Sequence, residues 1–150
     1  MRDLGELKII DGRVRRAGRP APSDEIVRAF QSHYGIALPP DYLTLLRHAN
    51  GGFPELDTIS EWGVYRFYHL DHDRTSSYSL WAAMEAWQPI LGCDALPIAE
   101  DSGGNHFFID LKTVAAPVKI CIHDDDIEIV DVAPSFQAFI DGLRMNPDYV

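Results

Sequence analysis

Long apolar runs are missing from this 150-residue chain. No stretch approaches the roughly 20 residues that cross a bilayer. The opening Met1-Arg2-Asp3-Leu4-Gly5-Glu6 has no apolar core of a signal peptide. No membrane partner and no secretory signal are therefore expected, and the cytoplasm is the expected location. Cysteine is scarce. Cys93 and Cys121 supply neither a disulfide framework nor metal-ligand spacing, which suits a reducing compartment. No Gly-x-Ser-x-Gly occurs, which excludes a nucleophile elbow. Asp101-Ser102-Gly103-Gly104 lacks the lysine and the following helix of a phosphate-cradling loop. There is no internal repeat and no low-complexity segment.

Basic charge is sparse outside one end. Residues 1–22 hold six Lys/Arg against three Asp/Glu, whereas residues 23–150 hold seven against twenty, for a net charge of −10 overall. A body that acidic repels phosphate backbones, so direct nucleic-acid binding is not expected. It attracts basic partners and speeds their encounter. Solubility alone also explains an acidic surface.

What is present reads as one domain. Residues 1–22, punctuated by Gly12, Gly18, Pro20 and Pro22 and charged by Arg13, Arg15, Arg16 and Arg19, read as a partly ordered leader with a short strand around Glu6–Ile10. The domain proper spans residues 23–150. Ser23 caps a first helix with Asp24 and Glu25 in its first turn and Ile26, Val27, Phe30 and Tyr34 on its apolar face; Gly35 stops it. Leu38–Ala49 reads as a second helix. Pro40 opens it, Tyr42, Leu45, Leu46 and Ala49 fall at helical spacing, and Asn50-Gly51-Gly52 closes it in left-handed geometry. The short connection predicts that these two helices pack as a pair.

Residues 62–70 are rich in β-favouring types and read as a strand. Ser77–Trp87 reads as a helix with Leu80, Met84 and Trp87 on one face and Pro89 just past its end. Leu96–Glu100 and Asn105–Leu111 read as a hairpin around Gly103 and Gly104. Val118–His123 and Ile127–Val132 form another across Asp124-Asp125-Asp126, and Ser135 caps a last helix carrying Phe136, Phe139, Ile140 and Leu143. Hairpins imply antiparallel pairing, so the expected class is α+β: a largely antiparallel sheet with helices packed against it.

Three stretches carry a resemblance. Leu38-Pro39-Pro40-Asp41-Tyr42-Leu43-Thr44-Leu45-Leu46-Arg47-His48-Ala49-Asn50-Gly51-Gly52 resembles the LPxDYxxLLxxxNGG helix of the SUKH superfamily, which includes the yeast glucan-synthesis regulator. The stretch from Leu96 to Leu111 resembles its second signature, and Ala133–Ile140 is similar to its closing helix. Order and spacing agree over about residues 23–144. The resemblance implies a SUKH-like fold. For bacterial members it implies an immunity protein that binds and blocks a cognate toxin, often a nuclease. On that reading the partner is a basic toxin domain, no cofactor is expected, and the chain is not an enzyme.

Contact candidates are Glu61, Trp62, Asp71, Asp73, Glu100, Asp101, Asp124, Asp125 and Asp126; Asn50, Gly51, Gly52, Gly103 and Gly104 are expected to be structural. Trp62 and Tyr65 stand by an acidic loop, where core and surface placements are equally expected, whereas Phe67, Trp87 and Phe107 are expected in the core. Two rivals come with these. One is an intracellular regulatory scaffold of the same superfamily. The other is a small metal-dependent hydrolase, because His69, Asp71, His72 and Asp73, and likewise His106, Asp110, His123 and the 124–126 acids, supply zinc-type donors. Against the hydrolase, His69 and His72 point to opposite faces if both lie on a strand. The Asp71 loop has Ser76 and Ala82 where a calcium loop needs Gly and Glu.

Overall fold

A computed structural model describes residues 1–11, 19–124 and 126–149. In chain order the elements are α1 (Asp24–Tyr34), α2 (Pro40–His48), β1 (Thr58–Ile59), β2 (Trp62–Gly63), β3 (Arg66–Phe67), α3 (Leu80–Leu91), β4 (Ala95–Glu100), β5 (His106–Asp110), β6 (Val118–His123), β7 (Ile127–Ala133) and α4 (Phe136–Gly142). Short 3-10 helices at Leu4–Leu7 and Pro147–Tyr149 lie at the two ends. β1 and β2 pair with each other, and the remaining strands form one antiparallel sheet in the order β3-β4-β5-β6-β7. The expected α+β class is what the chain adopts.

The helix ends follow their caps. Ser23 Oγ accepts the Ile26 N–H at 3.2 Å, and Gly35 closes α1 at φ 65°. Ser135 Oγ accepts the Ala138 N–H at 3.0 Å at the start of α4. Each such cap is worth about 1 kcal/mol. The apolar faces then decide the packing. Phe139 and Ile140 of α4 lie fully buried against Phe107, Ile109 and Ile120 on one sheet face. On the opposite face Ala95, Phe108 and Cys121 form a smaller core covered by Trp87 and Leu91 of α3. β4 is covered on both faces, which is why almost all of Ala95–Glu100 is buried.

Several local expectations are corrected. The first two helices touch, with Arg47 of α2 3.6 Å from Asp24 of α1, but each sets its aromatic face against another helix. α1 sets Phe30 5.1 Å from Trp81 of α3, whereas α2 sets Tyr42 5.7 Å from Phe136 of α4. Helix α2 ends at Ala49 in extended backbone, so Asn50 is no left-handed cap; the positive φ values fall on Gly51 (83°) and Gly52 (114°). Pro89 lies inside α3, which runs on to Leu91. The residue whose carbonyl loses its partner is the exposed Glu85, so water can take the freed acceptor. That helix starts at Leu80, with Ser79 Oγ accepting the Trp81 N–H at 3.1 Å. The single strand expected over residues 62–70 is broken into β2 and β3 because its backbone serves three partners. Val64 N–H bonds Asp57, Tyr65 N–H bonds Glu100, and Phe67 exchanges bonds with Gly52. Glu6–Ile10 is no strand: Glu6 and Leu7 belong to the 3-10 helix and only Ile10 bridges, to Phe53. Gly12, Arg13, Arg15, Arg16 and Gly18 lie outside the described residues.

These ties close one side of the sheet. Gly52 covers the outer edge of β3, and Ile10 in turn pairs with Phe53. At the other side, β7 has no backbone partner beyond β6 among the described residues.

Candidate partner-docking face

The Asp101 turn organises one end of the sheet. Its carboxylate accepts the N–H groups of Gly103 (2.9 Å) and Asn105 (2.8 Å), and the Asn105 side-chain amide donates to it at 2.8 Å. Both of its oxygens are therefore engaged within the turn. Gly104 sits at φ 83°, where an added Cβ would stand 3.0 Å from the His123 ring, so glycine is required there; at Gly103 the nearest atom is 3.5 Å away. His123 fastens this turn to the next hairpin. Its N–H donates to Asn105 Oδ1 at 3.2 Å and its Nε2 lies 3.3 Å from the Gly103 carbonyl. The β4–β5 and β6–β7 turns thus stand side by side, and Glu100, Asp101, Asp124 and Asp126 share one rim. Asp124 and Asp126 are exposed. Asp125 lies outside the described residues.

The rim continues past β3. Ser102 lines a cleft of about 190 Å³ with Asp57, Gly63, Tyr65 and Asn146. That cleft shares Thr58, Gly63 and Asn146 with a neighbouring one of about 220 Å³, which Glu61, Trp62 and Arg144 line. Glu61 is exposed and Trp62 half-buried. Tyr65 is the more open aromatic, 46% exposed, with its ring 5.2 Å from that of Phe53. Phe67 and Phe107 are in the core as expected, while Trp87 is half-buried.

Electrostatics vary along the rim. Glu100 stands opposite Arg66 in the β3–β4 ladder. Burial raises its carboxyl pKa and Asp101 adds to the effect, while Arg66 opposes it. Just inside, burial lowers the His106 pKa to about 4, with His123 adding to the effect. The imidazole is thus neutral near pH 7. Its Nδ1 is in hydrogen-bond contact with the Tyr68 hydroxyl, and the Trp87 ring lies 4.1 Å away.

Asp71 and Asp73 lie elsewhere. From Arg66, opposite Glu100, the chain runs back along β4 and reaches Asp71 toward the far end of the sheet. Asp71 pairs with Arg19 at 2.8 Å and lines a cleft of about 150 Å³ with Glu25, Arg74 and Trp81. Asp73 folds its own loop. Hydrogen bonds from the Thr75 hydroxyl and N–H and from the Ser76 N–H lower its carboxyl pKa. His69 is buried there, and that burial lowers its pKa. The 3.4 Å contact of its Nδ1 with Asp71 is accordingly not an ion pair near neutral pH. Among the described residues, no three His, Cys, Asp or Glu side chains gather as a metal-holding group. No described helix is long and apolar enough to cross a membrane.

Asn50, Gly51 and Gly52 form the joint between α2 and β3. Asn50 is buried and clasps the Leu70 backbone from both sides, while also donating to the Pro20 carbonyl at 2.8 Å. A Cβ on Gly51 would meet His69 Cβ at 2.9 Å, and one on Gly52 the Ile10 carbonyl at 2.6 Å. The LPxDYxxLLxxxNGG pattern therefore encodes a packed joint.

A sequence model of the SMI1 / KNR4 family (SUKH-1) matches residues 21–142, covering this joint, both hairpins and α4. The chain belongs to the SUKH-1 family. No curated protein matches the chain. Within the SUKH-1 domain, sequence reasoning placed the last strand but did not single out its exposed residues as a site. Ile127 and Ile129 are 48% and 51% exposed, and Glu128 and Asp131 are exposed with them. The signal was the alternation Ile127-Glu128-Ile129 in the final strand of a hairpin series, a pattern suited to an outer strand.

Proposed function

We propose that this SUKH-1 domain is a non-catalytic immunity protein that neutralises a cognate toxin by covering a basic surface on it. The observation carrying this reading is an acid-rich rim, in which Arg144 lines the first cleft beside Glu61. The rim runs from Glu61 and Trp62 past Tyr65 and the Asp101 turn to Asp124 and Asp126, on a chain of net charge −10. Acidic clefts flanked by half-open aromatics suit a cationic partner: charge steers the encounter and the rings anchor it. A nuclease domain is a fitting class of partner, because a cleft that holds a phosphate backbone is itself basic.

Co-expression tests the reading. A host carrying the toxin domain encoded beside this chain should survive when the chain is present, and the two should co-purify. Survival should be lost with Asp124→Lys/Asp126→Lys/Glu61→Lys, provided that variant stays folded. Killing unaffected by the chain would overturn the proposal. So would turnover of a small molecule that disappears on replacing one histidine in an intact fold.

A further inference from the structure

The two outer edges of the main sheet are treated differently. Gly52 and Phe67 exchange backbone bonds at 2.8 and 3.3 Å, so β3 presents no free edge. β7 is seven residues long and paired to β6 on one side except at a bulge at Val132, but no described backbone group bonds its other side. Alternate residues of such a strand turn their N–H and C=O groups outward. Two Ile side chains on one face are about half exposed, and between Asp124 and Ala133 there is no Lys or Arg.

We infer that the outer edge of β7 is a strand-docking site for an extended basic segment of another protein, which adds a sixth strand beside Ile127–Ala133. Backbone pairing supplies the affinity of this binding mode, and alternate side chains supply its selectivity. On one face of the added strand, apolar residues meet Ile127 and Ile129. At Glu128, and at Asp124 and Asp126 by the turn, Lys or Arg meets acid. Opposite charges across a ladder stabilise it and like charges oppose it. The same rule disfavours a second copy of this chain at the edge, because its own β7 would bring acids toward acids on two bodies of charge −10 each. The inference rests on the protein-binding reading above and adds where and how the partner docks.

The probe is a synthetic, terminally blocked peptide of about eight alternating Lys and Val residues, long enough to pair along β7. It is titrated into the full chain at low salt. Amide exchange is followed residue by residue, and the oligomeric state by sedimentation. Peptide binding should slow exchange of outward-facing β7 amides. An N-methylated peptide of the same charge should bind at least about tenfold more weakly, because it keeps the lysines but cannot complete the ladder. Glu128→Lys in the protein should weaken the unmodified peptide by a similar factor. Equal binding of the methylated peptide, protection away from β7, or a dimer of the chain joined through β7 would each overturn the inference. If a toxin partner co-purifies but leaves β7 amides unprotected, strand docking fails while the protective role stands. If no basic partner binds at all, both fail.

Discussion

Asn50 holds Leu70 by both of its backbone groups: its side-chain oxygen accepts the Leu70 N–H at 2.7 Å, and its amide donates to the Leu70 carbonyl at 2.9 Å. One side chain thus imitates a strand neighbour at the point where the chain turns toward α3.

Asn50→Ala leaves two buried backbone groups of Leu70 without partners. Such groups cost about 1–3 kcal/mol each, so a loss of roughly 2–6 kcal/mol is expected in urea unfolding. Asn50→Asp keeps the acceptor and loses the donor, and should fall between Ala and wild type. Equal midpoints for Asn50→Ala and wild type would show that the clasp contributes nothing.

The glycines should separate by geometry. Gly52→Ala forces a methyl to within 2.6 Å of the Ile10 carbonyl at φ 114°, and should destabilise the fold by more than about 2 kcal/mol. Gly103→Ala, with its nearest neighbour at 3.5 Å and no positive φ, should change stability by less than about 0.5 kcal/mol. Thermal melts of the two variants check the order.

Acid should weaken the fold through His106. Its pKa is lowered from 6.5 to about 4 in the folded state, so the unfolded chain binds more protons between those values. The stabilisation from keeping this ring neutral is full above about pH 6.5 and is lost as pH falls toward 4. His69, lowered by burial, works in the same sense, whereas Glu100, raised by burial, works against it. The comparison that isolates the effect is wild type against His106→Gln, measured by urea unfolding at several pH values. The variant should show the shallower fall across that window.

The acids should divide by position. Asp124→Lys/Asp126→Lys should leave stability within about 0.5 kcal/mol, because both side chains are exposed, while slowing association with a basic partner and flattening its salt dependence. Asp73→Lys, at the far end of the sheet, should leave the on-rate alone. Asp101→Ala should differ from the Asp124/Asp126 variant. It loses three hydrogen bonds that build a turn, so destabilisation of about 1–3 kcal/mol is expected first. Stopped-flow association and urea unfolding on the same samples distinguish the two kinds of residue.

The sequence was readable wherever a signal is local. Ser23 and Ser135 mark their helices through their own side chains, and the two hairpins carry their turn residues with them. It was unreadable where the outcome depends on distant partners. Residues 62–70 have a strand's composition, yet Asp57, Glu100 and Gly52 divide that backbone among them. Asn50 has the composition of a helix stop, but its role is fixed by Leu70, which lies twenty positions on. Asp101 and Asp124 look alike as acids. Only the fold shows that one is consumed inside a turn and the other faces solvent. That β7 is an outer strand follows from strand order, which no window of residues contains.

The Arg2 guanidinium donates to the carbonyls of Ile140 at 3.1 Å and Leu143 at 2.6 Å, while Leu4 and Leu7 are buried beside it. The opening residues therefore act as a latch on the closing helix. Arg144, two positions beyond the family match, zips onto Thr58 in the same neighbourhood. Anyone trimming the polypeptide to its recognisable span of 21–142 would remove both fasteners at once and leave the end of α4 open to water.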